Sequence, residues 1–378
     1  MMSPAPTQKT PLWLDCDPGH DDVFAILFAA YHPGINLLGI STVFGNAPLE
    51  TTTVNAASIL TSIGKHNDIP IYAGASQAIA RPPMNPPTSI HGKTGLDGTD
   101  LLPQPKRDPK WTESATAAMA AALLAQPADT AVVVATGPLT NIAILFRDYP
   151  QLAGHVKCLS LMGAAFGGGF TDVSLGTVDD PNRIGNYTRW AEFNIVADPE
   201  AAAQIFSDNI IAAKTTVIPL DLTHQVLATE RVRDLLLYGK SGQRNGKAKT
   251  TLRQMLVELL MYFADTYADV FGITVGPPLH DPIAVAAALI GTPWEISFHD
   301  SDDQGSKQSE RFSVTVETKG SYKDAVEGKT MTGMTMQIPL EPGSDGVTIP
   351  RSLDFSHFWT VLEDCIEMAD EKVRLEFA

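Results

Sequence analysis

Leu12-Trp13-Leu14-Asp15-Cys16-Asp17-Pro18-Gly19-His20-Asp21-Asp22 sets an apolar run against four carboxylates that fall within eight residues. The apolar run reads as the end of a buried strand and Pro18-Gly19 as a turn. Val23-Phe24-Ala25-Ile26-Leu27-Phe28-Ala29 then reads as a helix apolar on most sides, hence buried. Carboxylates this close raise one another's pKa unless something positive holds them. A hard cation such as Ca²⁺ or Mg²⁺, which takes oxygen ligands, is the natural partner. An acidic helix start would account for Asp21 and Asp22 through the helix dipole. It leaves Asp15 and Asp17, at the strand end, without a reason.

Outward from this stretch, short β-rich runs alternate with helical ones. Strands are expected over Asn36–Val43, Ile69–Tyr72, Ala131–Ala135, Val156–Met162 and Lys214–Ile218, and helices over Glu50–Ile63 and Ala115–Leu124. That alternation predicts an α/β fold: a single domain with an open, mostly parallel central sheet flanked by helices. Ligands of such sheets bind outside the carboxyl ends of the strands. Asp15, Asp17, Asn46, Thr136 and Met162 all fall at such ends, so one rim should gather them. The polar, proline-containing start suggests a flexible extension over residues 1–10, with the domain running from 11 to 378. Two stretches read as long loops. Residues 75–110 carry seven prolines, and residues 164–186 include Gly167-Gly168-Gly169 without the Lys-Ser/Thr of a phosphate-binding loop. Ser301–Glu310 reads as a polar surface connection.

Composition narrows the function. Hydrophobic residues make up 44%, which fits a globular chain with a large core. No apolar run is long enough for a membrane span and no secretory leader is visible, so a cytoplasmic enzyme is expected. Three cysteines, Cys16, Cys158 and Cys365, lack metal-ligand spacing and suit a reducing compartment. A net charge of −16 argues against nucleic acid as a partner and disfavours polyanionic substrates.

Several later motifs are ambiguous alone. Asp281, before Pro282 and an apolar helix, could be a cap. Glu192 and Asn194 could lie on a solvated edge, Asn186 in a plain turn, and His224 or His280 could be structural hydrogen-bonders. Their order along the chain is more specific. Asp15-x-Asp17-Pro18-Gly19-x-Asp21-Asp22 resembles the signature of the nucleoside hydrolases. The inosine–uridine preferring type is matched further by Thr42-Val43-Phe44-Gly45-Asn46, His91-Gly92-x-x-Gly95, Thr136-Gly137-Pro138-Leu139-Thr140-Asn141, Met162-Gly163, Gly185-Asn186, Ala191-Glu192-Phe193-Asn194, Leu220-Asp221-Leu222-Thr223-His224-Gln225 and His280-Asp281-Pro282.

The resemblance implies a Rossmann-like nucleoside hydrolase fold and hydrolysis of the N-glycosidic bond of ribonucleosides, uridine or inosine, in nucleoside salvage. It implies a Ca²⁺ held by Asp17, Asp22, the Thr136 carbonyl and Asp281, with further positions for the ribose 2′- and 3′-hydroxyls and a water. Asp17 would be the general base. Asp21, Asn46, Asn194 and Asp281 would hold the ribose, Asn186 and Glu192 its 5′-hydroxyl, and Met162 would pack on the sugar. His280 would protonate the leaving base, a task suited to a group titrating near neutrality. His91 would close over the base, and Phe263 and Tyr267 would belong to a mobile lid. Relatives of this kind form homo-oligomers, so a dimer or tetramer is expected.

Two other classes stay open on the sequence. In a haloacid-dehalogenase-like phosphohydrolase, Asp15-x-Asp17 would hold Mg²⁺ with Asp15 as nucleophile, although Gly19 stands where that family has Thr or Val. A non-catalytic ribose-binding protein on the same fold would keep the pocket without the chemistry, although every matched catalytic position is intact.

Overall fold

The computed structural model describes residues 8–376 apart from 85, 87, 241, 243, 245 and 301–309. Most of the expected N-terminal extension and of the 301–310 connection therefore lies outside the described residues. Lys9 is exposed, and Thr10 already opens the first strand.

Six strands form one parallel sheet: β1 (Thr10–Cys16), β2 (Ile35–Thr42), β3 (Ile71–Ala73), β4 (Val132–Ala135), β5 (Cys158–Met162) and β6 (Thr215–Ile218), in the order β3-β2-β1-β4-β5-β6. All five pairings are parallel. β1 and β4 are buried throughout, which is why they read as continuous apolar runs. The pleat sends Leu12, Leu14 and Cys16 to one face and Trp13, Val133 and Ala135 to the other, where each set joins a separate core.

Strand order reverses between β1 and β4. Chain leaving β1 turns one way and chain leaving β4 the other, so a crevice opens where Asp17 follows β1 and Thr136 follows β4. The helix Asp22–Tyr31 follows the Pro-Gly turn, and the helix Asp281–Ala287 packs against it. Their packing brings Asp22 and Asp281, each the first residue of its helix, to one place. Both helix N-termini present partial positive charge there.

Elements beyond the expected ones surround this centre. A hairpin of Phe312–Val316 and Thr335–Pro339 covers the second core, and a helix over Phe355–Glu376 closes the first. That closing helix is held by Arg253, a fully buried guanidinium bonded to Glu363 at 2.9 Å and to Asp370 at 2.5 Å.

Candidate active site

At the carboxyl rim of the sheet lies a cavity of about 680 Å³ of empty space. Asp21, Asn46, His91, Thr136, Met162, Asn186, Glu192, Asn194, His280 and Asp281 line it, together with Phe263 and Tyr267. Asp17 and Asp22 sit fully buried beneath them. The fold thus gathers the residues expected to hold cation and substrate, but not Asp15, which the rim was also expected to collect.

The floor is acidic. Asp21, Asp22 and Asp281 place carboxylate oxygens within 4.8 Å of one another. Asp22 accepts from the Gly19 N–H at 2.9 Å and from the Thr136 hydroxyl at 2.8 Å. Asp17 Oδ2 accepts from the Asn46 N–H at 2.8 Å, while Asp17 Oδ1 is buried with no partner among the described residues. Two glycines make room for that carboxylate. A Cβ on Gly45 would strike Asp17 Oδ2, and one on Gly137 would lie 2.8 Å from Oδ1. Burial raises all four pKa values: Asp21 to about 6, Asp22 to about 7, and Asp17 and Asp281 well above the usual carboxylate range, with mutual repulsion adding to each except Asp21. No cationic side chain accompanies them among the described residues.

Asp15 stands apart. It accepts from the Ser41 hydroxyl and from Asn141 Nδ2 at 2.8 Å, and burial raises it to about 7. It braces β1 against its neighbours rather than facing the cavity. The Cys16 thiol is free and buried, and burial followed by the surrounding carboxylates pushes its pKa well up, which disfavours the reactive thiolate.

One wall of the cavity is built at the ends of β4 and β5. Asn194 Nδ2 donates to the Thr136 carbonyl at 3.0 Å and to the Met162 carbonyl at 3.2 Å. Glu192 caps the helix Phe193–Ala197, accepting from the N–H groups of Asn194, Ile195 and Ala164, and burial lifts it to about 7. Ala164 takes a left-handed backbone, φ 76°, to make that contact. Asn186 Oδ1 accepts from the Phe193 N–H at 2.9 Å, which joins the end of the 164–186 loop to the same wall.

Opposite lies an imidazole–phenol pair. His280 is buried, with Nε2 at 2.8 Å from the Tyr267 hydroxyl and Nδ1 at 2.7 Å from the Thr223 hydroxyl. Its pKa lies well below the ordinary histidine value, through burial first and then His224 and His91. The expectation of a histidine titrating near neutrality is therefore corrected: His280 is neutral at pH 7. The expected lid residues sit where two helices, Thr251–Tyr262 and Ala264–Phe271, break at Phe263; the first of these is buried in the core along Leu252–Leu260. Phe263, Tyr267 and Phe271 recur every fourth residue and present one aromatic face to the cavity.

Sequence reasoning missed Phe271, Tyr187, Phe193 and Ile90, which also line the cavity. The four-residue spacing from Tyr267 signals Phe271. Nothing comparable marks the others. The long loops are pinned rather than free. Asp221 accepts from the N–H groups of Phe166 at 2.9 Å and Gly167 at 2.8 Å, so a carboxylate already fills the place a phosphate would take beside the triple glycine. The Val178 N–H donates to the Val270 carbonyl at 2.8 Å, tying the same loop to the helix Ala264–Phe271. In the 75–110 stretch, Ile79 N–H donates to Asp198 at 2.9 Å and Arg81 pairs with Glu200 at 2.7 Å.

Comparison with known proteins agrees with this geometry. Residues 12–360 match the family described as inosine-uridine preferring nucleoside hydrolase. A uridine nucleosidase of Saccharomyces cerevisiae is 38% identical over 364 residues, covering 96% of this chain and 97% of that one. A pyrimidine-specific ribonucleoside hydrolase of Shigella sonnei is 30% identical over 95% of this chain and 97% of its own length. Among solved structures, a purine-preferring ribonucleoside hydrolase from Gardnerella vaginalis superposes with a TM-score of 0.73 at 25% identity, covering 95% of this chain and 99% of that chain. The chain belongs to the inosine-uridine preferring nucleoside hydrolase family, and it is a ribonucleoside hydrolase. Neither the phosphohydrolase nor the non-catalytic reading is favoured. Among the described residues, no helix is long and apolar enough to cross a membrane.

Proposed function

We propose that the chain is a calcium-dependent hydrolase of pyrimidine ribonucleosides that prefers uridine to inosine, and that it frees base and ribose for salvage. The observation that carries the reading is the buried Asp17 Oδ1, without a partner among the described residues, beneath the Asp21, Asp22 and Asp281 carboxylates of the cavity that Tyr267 and His280 also line. An acceptor left bare in the interior is costly, and so is a cluster of like charges. A hard cation relieves both.

Asp17, Asp22, Asp281 and the Thr136 carbonyl would hold that cation, with Asp21 within reach. An all-oxygen set leaving room for two sugar hydroxyls and water suits Ca²⁺ better than octahedral Mg²⁺. When bound, the cation would acidify a water and anchor the ribose.

The chain's own residues supply the rest. Asp17 accepts the proton of the attacking water as that oxygen bonds to C1′ and the glycosidic electron pair passes to the base. Asp21, Asn46 and Asn194 hold the 2′- and 3′-hydroxyls, and Met162 packs on the sugar. Asn186 and Glu192 take the 5′-hydroxyl, and a buried carboxylate there disfavours a 5′-phosphate. The leaving base takes its proton from the Tyr267–His280 pair as negative charge builds on it; in the free site burial, then Asp21, Glu192 and Asp281, hold the Tyr267 phenol above its ordinary value. Buried and without another partner among the described residues, the Thr223 hydroxyl must donate to His280 Nδ1. His280 Nε2–H then donates to the Tyr267 oxygen, which leaves the Tyr267 O–H aimed at the substrate.

Preference for uridine is supported by the uridine nucleosidase of yeast, with which the similarity runs over 96% of this chain. Three free cysteines suit a cytoplasmic setting. A homo-oligomer, dimer or tetramer, and a domain beginning near residue 11 complete the reading.

The test is ribose release from uridine, inosine, cytidine, adenosine and 2′-deoxyuridine, with and without a calcium chelator. Release from uridine, absent with deoxyuridine and lost on chelation, supports the proposal. Release that is indifferent to chelation, or equal with deoxyuridine, overturns it.

A further inference from the structure

The mechanism leaves one imidazole pair unused. His20, inside the acidic signature, is fully buried. It stacks on Tyr262 with ring centroids 4.9 Å apart and planes within 6°, and it meets the edge of Phe263 at 5.7 Å. Its Nε2 lies 2.8 Å from the Asp97 carbonyl oxygen, and its Nδ1 lies 3.1 Å from His91 Nδ1.

A carbonyl can only accept, so His20 Nε2 carries a hydrogen. Two facing nitrogens at hydrogen-bond distance share one proton. No carboxylate oxygen hydrogen-bonds the His20 ring among the described residues, and a second proton on it would bury a charge whose only oxygen acceptor is a neutral carbonyl. His20 Nδ1 is therefore a lone pair, and the shared proton belongs to His91 Nδ1. The Nδ1 edge of His91 also faces Gly19, where an added Cβ would lie 2.8 Å away. What remains for the cavity, which His91 lines, is its unprotonated Nε2.

Resting on the hydrolase reading, we propose that His20 is a positioning residue which, with the Asp97 carbonyl, fixes His91 as a hydrogen-bond acceptor toward the nucleobase. The site then selects a base that offers an N–H there, such as the imide of uracil or the lactam of hypoxanthine, and penalises one whose ring N–H is methylated. His91 is by the same reasoning excluded as the acid that protonates the leaving group.

Ring-¹⁵N-histidine-labelled protein with calcium, assigned with a His91→Gln sample, reports the tautomer directly by long-range ¹H–¹⁵N correlation. His91 should show a protonated Nδ1 and a bare Nε2. In His20→Phe, which keeps the aromatic stack, His91 Nε2 should become protonated. That variant should lose about tenfold in kcat/KM for uridine, the worth of one hydrogen bond, and its preference for uridine over 3-methyluridine should narrow. A protonated His91 Nε2 in the wild type, or an unchanged uridine to 3-methyluridine ratio in His20→Phe, overturns the proposal. A merely structural role would lower stability without moving either readout. Were neither protein to release ribose from any nucleoside, the hydrolase reading would fail, and the spectrum would still decide the tautomer.

Discussion

Asn46 grips Asp17 from two sides: its backbone N–H donates to Asp17 Oδ2 at 2.8 Å, and its side-chain amide donates to the Asp17 carbonyl at 3.1 Å. One residue at the end of β2 thereby fixes both the position of the carboxylate after β1 and which of its oxygens stays free. Asp17→Asn keeps the shape and removes the base. It should lower kcat by about 10²–10⁴-fold and weaken calcium binding as well, since Asp17 would also hold the cation, as steady-state kinetics at saturating calcium would show. An unchanged kcat would remove Asp17 from the role of base.

Gly45→Ala tests the same grip through sterics. The new methyl meets Asp17 Oδ2, which has no room to retreat between Gly45 and Gly137. Calcium affinity measured by calorimetry should fall at least tenfold. Binding equal to wild type would show that the carboxylate can shift without penalty.

The acidic floor makes metal-free stability depend on pH in an unusual direction. Asp15, Asp21, Asp22 and Glu192 titrate at about 6 to 7 when folded, above their unfolded values near 4. From pH 5.5 to pH 7 these groups, with Asp17 and Asp281, hold protons that the unfolded state has shed. They outnumber the buried histidines His20, His32, His91, His224 and His280, which are held below their ordinary value and act in the opposite sense, so stability falls as pH rises through this window. The chelated protein should melt lower at pH 7.5 than at pH 5.5. Calcium should recover most of the loss at pH 7.5 and little at pH 5.5, where protons compete with it. A chelated Tm that rises across this range would contradict the arrangement.

Tyr267→Phe removes the hydroxyl bridging His280 and the cavity while keeping the ring. It should cost about 10²-fold or more in kcat for uridine. A substrate with a leaving group that needs no protonation, such as p-nitrophenyl riboside, should lose far less. Equal losses on both substrates would assign the phenol to binding instead.

Arg253→Met leaves Glu363 and Asp370 without their cation in the interior. Stripping one partner from a buried ion network costs about 3–5 kcal/mol, which chemical denaturation would register as a lowered midpoint. The kcat of the surviving folded enzyme should match wild type, because this cluster lies between the Thr251–Tyr262 helix and the closing helix, away from the cavity.

The chemistry was largely legible in the sequence because it sits at strand ends. Asp17, Asn46, Thr136 and Met162 each follow an apolar run, and one rule of parallel sheets brings such positions together. The strands themselves lie within a residue or two of expectation. Burial was the quantity that could not be read: His280 looks like a histidine tuned near neutrality until its partners and its depth are known. His20 was obscured by the four aspartates around it, and its partner Asp97 contributes a carbonyl, which any residue type could supply. The hairpin of Phe312–Val316 and Thr335–Pro339 escaped notice because its outer face keeps exposed apolar residues such as Ile338, which blurs the alternation.

The bond from the Val178 N–H to the Val270 carbonyl divides labour between two kinds of scaffold. Asp17, Asn46, Thr136 and Met162, to which the proposal assigns cation, base and ribose contacts, sit at or just after strand ends that cannot move without breaking the sheet. The aromatic face of Phe263, Tyr267 and Phe271, which would roof a nucleobase, hangs from a helix laced to a surface loop, where insertions are cheap. Evolution, or an engineer, can therefore exchange the roof for another and redirect the catalyst to a different base, with the bond-breaking apparatus inherited whole.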